Sequence, residues 1–247
     1  MRPIMKISTV LLSGMAGLMT GLSALAQAEP AAPSDSVPCA IIEAVKPQFP
    51  VRMMNEGVMF GEVHMLLHVD ATGTLTDTLV TAYSRKAFAD EALRGVSGWK
   101  FTPGLVKGEP MATIIDLTFN FEVHGVLVVQ NPNPTATVGI GRFDKFEYQA
   151  ASMQNLDRVP TPLNIVEPTY PREWMKQGIV GTVVVDFYID ESGRTRFPVA
   201  APGPHDQLVG IALAAVQQWQ FIPPKSRGRP VLVRARQVFQ FDADEKP

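Results

Sequence analysis

Two histidines in one apolar stretch, His64 and His68, have the residue type and closeness in sequence that suggest a metal site. The alternation of apolar and polar residues around them predicts a β-strand, on which residues four apart lie about 13 Å from each other. Two imidazoles that bind one zinc ion must lie within about 4 Å of each other. The spacing therefore argues against a shared ion, and the sequence predicts no metal and no cofactor.

Two aspartates and two tryptophans are the other candidates for chemistry. Asp70 and Asp190 each open a D-x-x-G turn, in which the carboxylate commonly caps backbone amides. Trp99 and Trp219 lie on the apolar side of a helical pattern, which predicts core packing rather than ligand stacking. The sequence contains no nucleophile with a nearby base, no phosphate-binding glycine loop and no Cys/His metal spacing. These residues predict a binding module and not an enzyme.

The aspartates and tryptophans recur because the chain contains the same unit twice. The unit occupies residues 61–121 and again 181–241, and its matching residues are 120 positions apart. Upstream of these ranges the offset becomes 121, as between Pro50 and Pro171. A repeat that keeps its register over this length takes precedence in predicting a fold.

Each copy is predicted to fold as a short helix, two strands, a longer helix and a last strand. Alternating apolar residues predict the first strand, and the D-x-x-G turn returns it as a second, antiparallel strand. Apolar residues at i, i+4, i+8 and i+11, ending at the tryptophan, predict one helical stripe. The fold class is therefore α+β, with two tandem units that each contain a three-stranded antiparallel sheet packed by helices. Each copy is expected to fold alone, with two separate cores.

The N-terminal segment has the features of a secretory signal. Two early positive charges precede an uncharged apolar run, and small residues at 26 and 28 predict cleavage before Glu29. An uncleaved anchor is the alternative, because about 20 apolar residues can span a bilayer. The predicted divisions of the chain are this segment at 1–28, a Pro/Ala-rich linker at 29–45, copy one at 46–122, a connector at 123–166 and copy two at 167–242.

The connector is expected to contain short strands. Its apolar start predicts that the last strand of copy one runs on into 123–130, and a second short strand is expected near 142–148.

Charge and cysteine content exclude two further classes. Without Arg2 and Lys6 the chain has 20 basic and 24 acidic residues, a balance of −4, so a nucleic-acid partner is not expected. Cys39 is the single cysteine, so no intramolecular disulfide can form.

The repeated unit resembles the C-terminal domain of TonB-type energy transducers. The motifs that carry the resemblance are an aromatic-Pro pair, G-x-V-x-V-x-F-x-I-D-x-x-G, A-L-x-x-V-x-x-W-x-F-x-P, G-x-P and F-x-F, and they span about 150 residues in the two copies. The resemblance implies a small α+β domain with a three-stranded sheet. It also implies a periplasmic adaptor for TonB-dependent transmembrane transport, which binds a short receptor segment, the TonB box, as an added strand at the sheet edge.

The resemblance and the polar last strand of copy two indicate the peptide-binding residues. A Q-P-Q-Y-P stretch lies near the TonB box in the family, and it maps onto 46–50 in copy one and 167–171 in copy two. The TonB box is typically an acidic residue followed by a β-prone apolar run, which suits the cationic strand of copy two better than copy one. The predicted set is Lys46, Pro47, Gln48, Phe49, Pro50, Pro168, Tyr170, Pro171, Arg234, Arg236, Val238 and Gln240.

The partners that the resemblance implies are outer-membrane TonB-dependent receptors or a related envelope protein. If residues 1–28 remain as an inner-membrane anchor facing the periplasm, the ExbB-ExbD motor is a further partner. Family anchors carry a functional histidine and a long spacer, whereas this segment has no histidine and is followed by a spacer of about ten residues. The alternative hypothesis is a structural or scaffold envelope protein that forms a homodimer through its sheet edges.

Overall fold

The computed structural model describes residues 36–131, 146–201, 203 and 205–242. The predicted signal segment and most of the strand predicted near 142–148 lie outside the described residues. None of the helices within them is long and apolar enough to cross a membrane.

The first unit is built on an antiparallel sheet of five strands, in the order β10 (Tyr148–Gln149), β4 (Leu75–Tyr83), β3 (Phe60–Val69), β8 (Thr113–Glu122) and β9 (Gly125–Asn131). Its elements are β1 (Ser36–Val37), β2 (Ala40–Glu43), α1 (Val51–Asn55), β3 (Phe60–Val69), β4 (Leu75–Tyr83), α2 (Lys86–Val96), β5 (Lys100–Thr102), β6 (Gly104–Val106), β7 (Glu109–Met111), β8 (Thr113–Glu122) and β9 (Gly125–Asn131).

The second unit has a three-stranded antiparallel sheet in the order β13-β12-β17. The connector before it contributes β10 (Tyr148–Gln149), a 3-10 helix (Met153–Asn155) and β11 (Pro162–Asn164). The unit itself contains α3 (Arg172–Lys176), β12 (Gly181–Ile189), β13 (Thr195–Ala200), α4 (Asp206–Val216), β14 (Gln220–Phe221), β15 (Lys225–Ser226), β16 (Arg229–Pro230) and β17 (Val233–Phe241). The order of short helix, two strands, longer helix and last strand is therefore confirmed in both copies.

Each unit encloses a core between the helix stripe and one face of the sheet. In the first unit the alternating residues of β3 face α2, and Val63, Met65 and Leu67 are fully buried. Trp99 and Trp219 close the two cores, as predicted, with 7% and 3% of their surface exposed. Each indole Nε1 also donates to a backbone carbonyl, of Val45 and of Val166 respectively, at 2.8 Å.

The D-x-x-G turns also form as predicted. Asp70 Oδ1 accepts from the amides of Thr72 and Thr74 at 2.8 and 2.9 Å. Asp190 Oδ1 accepts in the same way from the amides of Ser192 and Arg194. These bonds give both aspartates a structural role, which is the role that the turn motif predicts.

Part of the predicted linker belongs to the first unit. Strand β2 pairs with β5, so that Ile41 lies opposite Phe101 and packs against the first core. Strand β1 pairs with β6, and Cys39, which lies in the chain between β1 and β2, is buried. The prolines of the predicted linker are at 30, 33 and 38, whereas its last part, 39–45, is mostly apolar and was wrongly included in it.

The connector departs from the prediction at its start. The last strand of copy one does not run on past residue 122, because the chain turns at 123–124 and returns as β9, antiparallel to β8. A short strand does form at 148–149, next to the second predicted strand, where β10 pairs with β4.

The two units share a third apolar cluster besides their separate cores. The outer faces of the two sheets meet there, through Leu66 and Leu79 of the first unit and Phe197 and Leu232 of the second. Arg196 of the second unit reaches across this contact to the first unit. The alternation along β3 puts Leu66 on the face away from the first core, where it packs against the other copy and not against solvent.

A bidentate ion pair lies beside this cluster. Arg196 Nη2 donates to both carboxylate oxygens of Asp77, at 2.6 and 2.7 Å, and to the carbonyl of Thr78 at 3.2 Å. The Tyr148 hydroxyl donates to Glu191 at 2.6 Å, which joins the connector to the second unit. The units are therefore held together by polar contacts as well as by apolar packing.

Candidate functional site

The two copies differ most at the edge formed by their last strand. The corresponding strands β8 and β17 each pair with the first strand of their unit on one side. The other side of β8 is covered by β9, whereas the sheet of the second unit ends at β17. An exposed edge strand presents unpaired backbone N–H and C=O groups, to which another strand can add.

Strand β9 closes the edge of copy one over seven positions. Its register runs from Glu122 opposite Gly125 to Asp116 opposite Asn131. The side chains of Val126 and Val128 pack against the first core, so this strand adds apolar contact as well as backbone hydrogen bonds. Copy one therefore has no open edge along this part of β8.

In copy two the corresponding seven positions, 236–242, have no added strand among the residues that the structure describes. The start of β17 is covered, because Ala151 forms a parallel bridge with Val233 and its amide donates to the carbonyl of Leu232 at 2.7 Å. The open part of the edge thus begins after this bridge. It matches in position and length the part of β8 that β9 covers.

The direction of the backbone groups on this edge follows from the ladder. Val238 lies opposite Val184 of β12. The carbonyl of Val184 accepts from the amide of Ala201 on the far side, so Val184 does not hydrogen-bond to β17. Because both polar groups of a residue in an antiparallel strand point to the same neighbour, those of Val238 point to the open edge. The backbone N–H and C=O groups of Arg236 and Gln240, each two positions from Val238, point to the open edge as well.

The aromatic-Pro motif of copy two lies at one end of this edge. The ring of Tyr170 packs edge-on against that of Phe241, the last residue of β17, with centroids 5.2 Å apart. Its hydroxyl donates to the carbonyl of Ile179 at 2.8 Å. Pro168 is buried and Pro171 is half-buried just before α3. The structure therefore places Tyr170 at the end of β17, whereas Arg234 and Arg236 lie near the start of the same strand.

The predicted stretch of copy one packs on its own unit. Pro47 and Pro50 are buried, and Phe49 packs edge-on against Phe88 at 5.2 Å between centroids. Lys46 and Gln48 are exposed. This stretch is close to the equivalent end of β8, where β9 already covers the edge.

The two arginines of β17 are paired with a buried carboxylate. Arg236 forms two hydrogen bonds of 2.9 Å with Asp186, one from Nε and one from Nη2, and Arg234 Nη2 lies 3.6 Å from the same group. Asp186 is 8% exposed, whereas about half of the Arg236 side chain (51%) remains accessible. The half-exposed guanidinium of Arg236 thus lies beside the open edge and is already paired with Asp186.

Gln237 is a polar residue on the core side of β17 that the sequence did not single out as part of the site. It is 5% exposed, and its side-chain Nε2 donates to the carbonyl of Val238 at 2.9 Å. Its neighbour Gln240 is exposed and donates to Asp242 at 3.2 Å. The signal that marks Gln237 in the sequence is its place in the repeat, where copy one has Leu117.

The histidines that first suggested chemistry have separate partners. His64 Nε2 lies 2.5 Å from Glu62 Oε1, and His68 Nδ1 lies 2.6 Å from the hydroxyl of Thr76. Within the described ranges there is no group of three or more His, Cys, Asp or Glu side chains that could hold a metal ion. The edge of β17 therefore remains the candidate site.

Comparisons with known proteins agree on one family. The family model described as Gram-negative bacterial TonB protein C-terminal matches residues 45–123 and 166–243. The curated protein named Protein TonB, from Vibrio cholerae serotype O1, is 34% identical over 77 residues, which is 31% of this chain and 32% of that protein. The chain thus spans about a third of the length of this relative.

A solved structure is also similar to part of the chain. It is the solution NMR structure of the Pseudomonas aeruginosa TonB C-terminal domain, with 28% sequence identity and a TM-score of 0.33. The match covers 39% of this chain and 97% of that domain.

Proposed function

The chain belongs to the family of TonB protein C-terminal domains, of which it contains two copies, and from this we propose that it captures an extended peptide as an added strand on β17. The peptide is a TonB-box-like segment of an outer-membrane receptor, and the protein acts in the periplasm in support of TonB-dependent transport. It is a binding adaptor and not an enzyme.

The observation that carries this proposal is the difference between the two sheet edges. Positions 116–122 of copy one are paired with β9, whereas β17 at the equivalent positions 236–242 pairs with β12 but has no second neighbouring strand among the described residues. At the covered edge of copy one, the added strand is β9, whose alternate residues Val126 and Val128 pack against the core. The open edge supports capture of a segment of the same kind from outside.

The charge beside the edge supports an acidic residue in the peptide. The Arg236 guanidinium lies beside the edge, where it pairs with Asp186, and its side chain is half exposed. At an exposed site such a charge contributes mainly to orientation and to the rate of association. Reversal of both arginines is a poor test, because it would place two further carboxylates against the buried Asp186.

The experiment is amide-shift mapping of the chain from residue 29 with a synthetic peptide. The peptide has seven residues, a glutamate at its N-terminus followed by alternating valine and threonine. We expect shifts at 236–242 and at Tyr170, and none at 116–122. Shifts confined to copy one, or none in either copy, would contradict the proposal.

A neutral variant tests the role of charge. Arg236→Gln leaves Arg234 to pair with Asp186, and we expect the affinity for the peptide to fall about twofold to fivefold, with a weaker dependence on salt. Arg229→Gln removes an equally positive residue from the exposed hairpin β15–β16 and serves as the control. An equal effect of the two substitutions would argue against a specific contact at Arg236.

A second candidate function is self-association through sheet edges, and β9 is the observation that favours it. Residues 125–131 carry no charge, and Leu127 and Val129 are exposed on the outer face of this edge strand. Uncharged, apolar edges are prone to pair with each other. Sedimentation velocity over a range of concentrations should then detect a homodimer that Leu127→Lys abolishes. The control Leu163→Lys, at an equally exposed leucine in β11 of the connector, should leave the homodimer intact.

A further inference from the structure

The backbone carbonyl at the centre of the open edge already has a hydrogen-bond donor. The carbonyl of Val238 points to the side on which a strand would add, as its position opposite Val184 requires. The donor is the side-chain amide of Gln237, at 2.9 Å. Gln237 lies on the core side of β17, so its side chain curls around the strand to reach this group.

Copy one shows what takes the place of this bond when the edge is covered. The equivalent of Val238 is Thr118, which lies opposite Val129 of β9. The equivalent of Gln237 is Leu117, which is fully buried in the first core. The covered edge thus has an apolar residue at this position, and the open edge has a residue with a side-chain amide.

We propose that Gln237 guards the peptide-binding edge, by occupying the Val238 carbonyl until an incoming strand displaces its side-chain amide. This inference rests on the proposed function, since it assigns the residue with which the peptide competes. A partner must supply a backbone N–H opposite Val238 and so replace the hydrogen bond that it breaks. An apolar segment that cannot place an N–H at this position does not replace the hydrogen bond from Gln237 and should bind less tightly.

The expected cost of displacement is that of one neutral hydrogen bond. Such a bond contributes about 0.5 to 1.5 kcal/mol, which corresponds to about twofold to tenfold in a dissociation constant. Gln237→Leu, which restores the residue of copy one, should therefore bind the same synthetic peptide about twofold to tenfold more tightly. Gln237→Ala should change the affinity in the same direction, because it also removes the competing amide.

The matched control is Gln218→Leu. The Gln218 side-chain amide also donates to a backbone carbonyl at 2.9 Å, that of Ala214, but this carbonyl belongs to α4 and not to the edge. The control should leave the affinity unchanged. In the unsubstituted chain, the side-chain NH₂ resonances of Gln237 should also shift when the peptide binds, because the amide leaves the Val238 carbonyl.

The outcomes separate the inference from the proposed function. If the peptide binds to the unsubstituted chain and to both Gln237 variants with one dissociation constant, or if the Gln237 NH₂ resonances do not move, the guarding role is wrong and peptide capture stands. If the peptide binds to none of these proteins, the proposed function itself fails. Should Gln237→Leu not fold, the alanine variant and the NH₂ resonances decide the question.

Discussion

Phe197 allows a test of how the two copies are joined. It is a buried aromatic residue, 5% exposed, in the cluster between the sheets, and its φ angle is +49°. A bulky residue with a positive φ is strained, and a register shift of the β12–β13 pair lies beside it. The bulge turns the ring away from the second core and toward the first unit. The apolar contacts of the ring in this cluster offset the backbone strain.

The two substitutions Phe197→Ala and Phe197→Gly separate the packing from the strain. Alanine removes the ring and keeps a Cβ at positive φ, so the free energy of unfolding should fall by about 3 to 5 kcal/mol. Glycine removes the same ring but tolerates this φ angle, which returns about 1 kcal/mol and reduces the loss to about 2 to 4 kcal/mol. The glycine variant should therefore be the more stable of the two.

Urea unfolding of the chain from residue 29 measures both losses. The control is Leu79 in β4, which lies in the same cluster and is 8% exposed, with an ordinary strand backbone. There glycine should be less stable than alanine by about 0.5 to 1 kcal/mol, the usual order in a strand. The same order at both positions would refute the strain at Phe197, and no loss in either Phe197 variant would refute the contact between the copies.

Two further predictions concern the D-x-x-G turns. Hydrogen bonds from Thr72 and Thr74 lower the pKa of Asp70, and at Asp190 burial opposes ionisation but the hydrogen bonds outweigh it and lower the pKa. The contribution of the two carboxylates to the free energy of unfolding should therefore be complete well above pH 3.8 and be lost as the pH falls through their lowered pKa values. In the double variant Asp70→Asn with Asp190→Asn, the free energy of unfolding, measured with urea, should fall less steeply with decreasing pH. Gly193 and Gly57 both have a positive φ angle, of +86° and +72°, but an added Cβ would lie 2.0 Å from the Phe221 carbonyl oxygen at Gly193 and in open space at Gly57. Gly193→Ala should therefore lower the free energy of unfolding far more than Gly57→Ala. Equal losses would contradict this prediction.

The units themselves could be predicted from the sequence because local patterns determine them. Alternation at Val63, Met65 and Leu67 indicates one buried face, and the stripe that ends at Trp99 indicates the helix that covers it. Both copies carry these signals at one offset, so each supports the other. The turn aspartates add a third local signal.

The contacts between distant segments could not be predicted in this way. Leu66 has the same apolar character whether it faces solvent or the other copy, and only the packed structure shows which. Ile41 lies in the short run 39–45, whose apolar residues are nearly continuous and show no alternation that would predict a strand. The return of β9 onto β8 depends on a turn at 123–124 that has neither glycine nor proline in it. The open edge of β17 follows from all of these pairings and has no local signature.

Part of the candidate site could be predicted from the sequence, and part of it depends on pairings between distant segments. Tyr170 and the last strand of copy two do meet, as the family pattern implied. The charge of Arg234 and Arg236 was visible in the sequence, but its partial neutralisation by Asp186 depends on a register of strands fifty residues apart. Gln237 follows only from comparing the copies once the covered edge is known.

The contact between the outer sheet faces does not need a high affinity to stay closed. The connector tethers the two copies, so each experiences the other at an effective concentration on the order of millimolar. A contact whose dissociation constant lies well below that value stays closed within one chain at any dilution. Two separate chains, each carrying one copy, would part when diluted to micromolar concentration unless their affinity were far higher. Covalent linkage therefore lets a modest interface, with Asp77 and Arg196 at its side, hold the two copies as one body.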